Sequence, residues 1–95
     1  MFQDLSKYLV EFLGTMIFLH TVLATGNPLA IAATLALVKI LGDNISGGNF
    51  NPAITIMLAA ANKLHIKDVA PYIIAQVAGA FAAIQLHKLH LSLIN

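Results

Sequence analysis

The chain has no cysteine, no tryptophan and no arginine, and charged residues make up only 9% of its 95 positions. Without cysteine there is neither a disulfide framework nor a thiolate metal site. Five lysines against four acids give a net charge of +1, with no basic stripe for nucleic acid. Without tryptophan, Tyr8, Tyr72 and the histidines are the only aromatic anchors for a membrane interface. The shortage of charge decides the most. Ordinary globular chains carry about 25% charged residues, and a small soluble domain has a large surface to cover with them. What is present is apolar: 59% hydrophobic residues and a mean hydropathy of +0.85. These values describe a membrane-embedded chain. No Ser/His/Asp set, paired carboxylates or phosphate loop occurs, so no enzyme is expected. The start, Met1 to Lys7, makes a poor signal peptide, because Glu11 interrupts the apolar stretch behind it and no small-residue cleavage site follows. The N-terminus is expected to stay on.

A membrane span needs about 20 apolar residues. Leu5 to Ala24 qualifies, with Glu11 inside it. Thr25-Gly26-Asn27-Pro28 reads as a tight turn, with Pro28 in the first turn of the next helix. A shorter second span follows from Pro28 to about Asn44. Val69 to Leu86 makes a third, with Asp68 as an N-cap and Pro71 in its first turn. Between them, Ile45 to Phe50 is not helical in character, whereas Asn51-Pro52 reads as a helix start, Asn at the N-cap and Pro after it. The helix to Ala61 is about nine residues, roughly 14 Å. It is too short to span and too apolar to lie in water. A half-helix that re-enters the membrane is tolerated where its polar end lines a wet cavity. The expected fold is therefore an all-α membrane protein, one domain over residues 1–95, with three transmembrane helices and one re-entrant half-helix.

Ser46-Gly47-Gly48-Asn49-Phe50-Asn51-Pro52-Ala53 resembles the signature loop of the aquaporin, or major intrinsic protein, family. Glu11-Phe12-Leu13-Gly14-Thr15 is similar to the family's first-span motif, and Lys67-Asp68, Pro71, Gln76 and Gly79 to its third-span entry. The resemblance covers nearly the whole chain. Family members carry two such halves in tandem, inverted relative to each other. This sequence has the motif once, with Ile54 after Ala53 as in the family's first half, and lacks the second half's arginine.

The resemblance implies roles for individual residues. Asn51, Pro52 and Ala53 would form the pore motif, with Ser46, Gly47, Gly48, Asn49 and Phe50 as the pore-lining loop. A half-helix starting at mid-membrane presents about half a positive charge. Two facing half-helices would raise a barrier to a cation of about 4 kcal/mol, taking roughly 4 Å and an effective dielectric near 20. Asn51 would offer its amide N–H₂ to passing water, a role compatible with simple helix capping. Glu11 and Gln76 would support the loop; the alternative for Glu11 is a proton-coupling carboxylate, as in small multidrug exporters. Gly14 and Gly79, with Ala75 and Ala83, would let helices approach closely. Ile31 stands where water-selective relatives have a constricting aromatic, and Asn49 where a histidine is usual, so a wider, less polar constriction is expected.

Lys39 and Asp43, at i and i+4, read as a pair reaching the headgroups, the alternative being a lumen-facing Lys39. His87 and His90, without a carboxylate, read as the edge of a span, as do His20 and His65; no metal and no cofactor are expected. The chain is thus expected to be a multi-pass integral membrane protein and a passive channel for water and small neutral solutes such as glycerol. Its partners would be the lipid bilayer and a second, inverted half: another copy in a homo-oligomer (a dimer or higher) or a different aquaporin-like half. With the N-terminus inside, Lys7, Lys39, Lys63 and Lys67 fall on one side and Lys88 on the other, which favours one orientation and strains the dimer of identical chains. The alternatives are a non-conducting partner or regulator of a complete channel, and a proton-coupled exporter using Glu11.

Overall fold

The long apolar run near the N-terminus forms helix α1, Phe2–Thr25, in the computed structural model, which describes residues 2–95. Its last turn is closed by Thr21 and Thr25, whose hydroxyls donate back to the carbonyls of Ile17 and Thr21 at 3.1 and 2.8 Å. Gly26 ends it with φ of +56°, a left-handed position that costs glycine nothing. Asn27 then caps the next helix by accepting from the amides of Leu29 and Ala30. Pro28, whose missing N–H would be unpaired there anyway, opens helix α2, Pro28–Gly42.

Helix α3, Pro52–Ala60, has only nine residues. Asn51 is its N-cap, its side-chain oxygen accepting from the amide of Ala53 at 2.7 Å. A 3-10 turn, Ile66–Asp68, leads into helix α4, Val69–Ile94, which continues as helix well past Leu86. Asp68 occupies the N-cap position of α4 but makes no side-chain cap bond, contrary to expectation, because its carboxylate is drawn to α1. The ring Nδ1 of His65 does the local capping instead, accepting from the amide of Lys67 at 3.1 Å.

α1 and α4 run parallel, since Asp4 meets Lys67, Glu11 meets Gln76 and His20 meets His87. They approach closely at Gly79: a Cβ there would lie 2.7 Å from the Phe12 carbonyl oxygen and 3.0 Å from the Thr15 Cβ. α2 runs back along α1, so that Gly42 faces Val10. The result is all-helical.

Burial is inverted relative to a water-soluble protein. Leu5, Leu9, Leu13 and Ile17 recur every fourth residue along one side of α1 and are exposed. Among the described residues, seven polar ones, including Glu11 and Gln76, are buried against five apolar ones. Such a pattern is favourable where the surrounding solvent is hydrocarbon and polar groups must find partners inside. α1 and α4 are long and apolar enough to cross a membrane; α2, at Pro28–Gly42, is shorter.

Candidate functional site

The site is organised by Glu11, fully buried on α1. Each carboxylate oxygen accepts two hydrogen bonds. Oε2 takes the Ser46 hydroxyl at 2.7 Å and the Asn49 amide at 3.0 Å. Oε1 takes the Phe50 amide at 2.8 Å and the side-chain amide of Gln76 at 2.9 Å. A carboxylate offers about four lone-pair sites, so all are engaged. Gln76 Nε2 also donates to Thr55 Oγ1 at 2.8 Å, which accepts from Asn49 Nδ2 at 3.2 Å as well. The loop, α1, α3 and α4 are thereby joined through one buried network.

The chain between α2 and α3 is shaped to reach that network. Gly48 has φ of +59°, and a Cβ on it would lie 3.3 Å from the backbone of Lys39. Phe50 is also left-handed, at φ of +56°, a conformation an aromatic residue adopts only when its surroundings hold it there. Its amide is tied to Glu11 and its ring is packed over Gly14 and Gly42. Tyr72, almost fully buried, donates to the Ser46 carbonyl at 2.7 Å. Lys39 pairs with Asp43 at 2.9 Å and also donates to the Gly47 carbonyl at 2.6 Å.

The carbonyls of Ser46 and Gly47 each accept one hydrogen bond, from Tyr72 and Lys39, and each keeps a second lone pair. Of the five loop residues expected along a pore, Gly48 and Asn49 line an open groove of about 520 Å³ between α2 and α3, together with Ala32, Leu35, Ala36, Lys39, Ile54 and Leu58. Ser46 and Phe50 are turned inward, and Asn49 is itself buried, its side-chain amide on Thr55. Ile31 is half-buried and does not line this groove, which begins at the next residue of α2. Gly14 meets the ring of Phe50 rather than a neighbouring helix, so its small size serves the loop.

Asn51 and Pro52 reach part-way along both long helices. They share a recess of about 200 Å³ with Thr15, Phe18 and Leu19 of α1 and Gln76, Val77 and Ala80 of α4. Thr15 Oγ1 and Gln76 Oε1, two of the polar atoms there, are buried without a hydrogen-bond partner. The N-terminus of α3, with its partial positive charge, therefore opens beside the middle of α1. Asn51 itself is exposed, and since its oxygen caps α3, its N–H₂ remains for other partners. Tyr72, expected as an interfacial anchor, is instead buried with its hydroxyl on the Ser46 carbonyl; Thr55 and the Lys39–Gly47 contact carry no distinctive sequence signal and emerge only from the packing.

Each end of the α1–α4 pair has its own cluster. At the start, just outside the long apolar stretches, Lys67 donates to Asp4 at 2.9 Å and lies 3.3 Å from Asp68. Lys7 and Tyr8 also donate to Asp68, at 3.3 and 2.9 Å. The Lys67 hydrogen bond holds the Asp4 carboxyl below its ordinary value, and Asp4 in turn holds Lys67 above its own. Burial pushes Asp68 up, but the bonds from Tyr8, Lys67 and Lys7 outweigh it and the net direction is down. At the far end stand His20, His87 and His90, which the sequence separates by most of its length.

Outward-facing apolar side chains around an inward polar network define a helical membrane protein. The profile of the Major intrinsic protein family matches residues 2–93. The chain is 42% identical over 86 residues to "Glycerol uptake facilitator protein-like 6" of Lactiplantibacillus plantarum, covering 81% of this chain and 40% of that protein. It is 38% identical over 96 residues to "Aquaporin Z" of Rhodopseudomonas palustris, covering 85% and 40%. To "Aquaglyceroporin AqpS" of Rhizobium meliloti it is 47% identical over 64 residues, covering 66% and 27%. The chain thus spans 40% or less of the length of these relatives. No solved structure matches it significantly. The chain belongs to the major intrinsic protein family, whose members are integral membrane proteins and passive channels rather than enzymes.

Proposed function

We propose that this chain forms one half of a passive channel for water and small neutral solutes such as glycerol, in a multi-pass arrangement with α2 as the third span. The observation that carries the proposal is the placement of Asn51: the start of a half-helix, exposed, beside the middle of α1. Asn51 would offer its amide N–H₂ to a passing oxygen, Pro52 and Ala53 would set the turn into α3, and the N-terminal dipole of α3 would repel cations. Glu11 and Gln76 would hold the loop that aims Asn51, and Gly79 would set the spacing of α1 and α4. The lumen would run along the groove bearing Gly48 and Asn49. Ile31, one residue beyond that groove on α2, would form part of an outer constriction completed by the other half.

The pore would be completed by a second half in inverted orientation, which supplies the opposing half-helix. Four lysines toward one face and Lys88 toward the other favour a single orientation of this chain. A different inverted half therefore fits better than a second copy. A proton-coupled exporter using Glu11 fits the geometry poorly, because all four acceptor sites of that carboxylate already hold structural donors.

Osmotic swelling of proteoliposomes tests the proposal, with the chain alone and with a full-length relative's complementary half added. Rapid water flow lost in Asn51→Asp is the expected result, in one of the two preparations. Flow no faster than empty liposomes in both, from protein of native helicity, sinks the channel proposal and favours a non-conducting partner of a complete channel.

A further inference from the structure

The end of the α1–α4 pair opposite Asp4 and Lys67 carries a cluster that the channel proposal does not use. His20 stands on α1, and His87 and His90 stand one turn apart on α4, so both project to one side of that helix. The ring centroids are 6.1 Å apart for His20 and His87, 5.7 Å for His20 and His90, and 6.4 Å for His87 and His90. One ring nitrogen from each lies within 4.8 Å of those of the other two. Independently of that spacing, His20 Nε2 and His87 Nδ1 are buried and have no hydrogen-bond partner. Buried imidazole nitrogens are seldom left so without a ligand, an ion or water to meet them.

We propose that His20, His87 and His90 bind a divalent transition-metal ion of the Zn²⁺ class through three neutral imidazoles, with the fourth position open. Zinc–nitrogen bonds of about 2.0–2.1 Å place tetrahedral donors roughly 3.4 Å apart, a separation these rings reach by modest side-chain rotation. The donor set is all nitrogen: no acid occurs between Phe12 and Thr25 or from Val77 to the end of the chain. Imidazole without carboxylate suits Zn²⁺, Cu²⁺ and Ni²⁺ and not Ca²⁺ or Mg²⁺, which take oxygen ligands. Lys88 lies between the two α4 histidines in sequence but is exposed, and neighbours at i+1 and i+2 do not share a helix face. His20 lies toward the C-terminal end of α1, and His87 and His90 toward that of α4, so the site stands near one end of the helix pair. Among the described residues, the ion pairs that join α1 to α4 all lie at the opposite end. A bound ion would pin the far ends together.

The test uses the whole chain in detergent micelles, titrated with Zn²⁺ and Co²⁺, with Mg²⁺ and Ca²⁺ as controls. The expected result is one Zn²⁺ per chain, a raised melting temperature with Zn²⁺ only, and the intense visible absorption of four-coordinate Co²⁺. His20→Gln, His87→Gln and His90→Gln are each expected to weaken Zn²⁺ binding at least tenfold, whereas His65→Gln leaves it unchanged. The faint spectrum of six-coordinate Co²⁺ with wild-type protein overturns the proposal, whatever the variants do. So does Zn²⁺ affinity unchanged in a folded His20→Gln, or one ion per two chains, which would place the site between copies.

Discussion

The ring of Phe50 occupies the space that a side chain at position 14 would take, and only the absence of a Cβ on Gly14 admits it. The same ring lies 3.2 Å from where a Cβ on Gly42 would be, so it is seated in a notch cut from both α1 and α2. With its backbone amide on Glu11, Phe50 is held at two points. Those two points keep its left-handed backbone in place and so aim the next residue, Asn51, toward the middle of α1.

Gly14→Ala therefore acts on the loop before it acts on helix packing. The methyl group overlaps the Phe50 ring, and overpacking of this kind costs about 1–3 kcal/mol. The expected outcome is a lower unfolding midpoint in mixed detergent micelles. It should be largely rescued by Phe50→Leu in the same chain, since Leu removes the clash. Failure of the second change to restore any stability would mean that position 14 contacts something else.

Glu11→Gln tests the network from its centre. A glutamine retains one oxygen but turns an N–H₂ toward two of the four donors. Each buried polar group left unpaired costs about 1–3 kcal/mol, so the variant should lose roughly 2–6 kcal/mol. Thr55→Val keeps the shape while removing the oxygen shared by Asn49 and Gln76, and should lose about 1–3 kcal/mol on the same grounds. Reversible unfolding followed by circular dichroism measures both, and a Glu11→Gln variant as stable as wild type would remove Glu11 from its central place.

Ile31→Phe addresses selectivity and rests on the proposed channel. An aromatic ring at the outer constriction narrows it, and a bulkier solute feels that more than water does. In proteoliposomes that conduct, glycerol flux should fall about tenfold, with a smaller fall in water flux. Equal reductions of both would place Ile31 away from the constriction.

The charged cluster at the start of α1 and α4 makes stability depend on pH in acid. The folded-state values of Asp4 and Asp68 lie below the ordinary 3.8. Their contribution is fully present above that value and is lost as the pH falls through the lower folded values. Lys67, held above its ordinary 10.5, contributes below that pH and loses its share only as the pH rises through its folded value. Through these groups the melting temperature in neutral detergent should thus show a step below about pH 4. Asp68→Asn should lower the neutral value and shrink the acid step; an undiminished step would assign it to other carboxylates.

Much of the helical framework is legible residue by residue. Asn27-Pro28 and Asn51-Pro52 mark two helix starts because an Asn cap and a proline at the first position each satisfy a local backbone requirement. Glu11 stands out because an acid in an apolar stretch needs partners. Asp68 misled for the opposite reason: its identity suits a local cap, but distant Tyr8 and Lys7 compete for the same oxygens and prevail. Thr55 was not legible at all, and Tyr72 only as an aromatic for the membrane interface. Each is an ordinary residue for a helix, and its use depends on what another helix brings opposite.

The histidines show the same limit more sharply. His87 and His90 share a helix face by local geometry alone, and that much the chain announces. His20 joins them only because α1 and α4 run parallel in the register that pairs Glu11 with Gln76, which, continued along both helices, brings position 20 level with position 85, within one turn of His87. Composition and local caps determined by themselves that this chain enters a membrane and where its helices begin, since those are contests between a segment and its solvent. The loop's inward turn, the partners of Asp68 and the meeting of three histidines were decided by tertiary structure, because hydrogen bonds and close packing between distant segments exist only once the register is set.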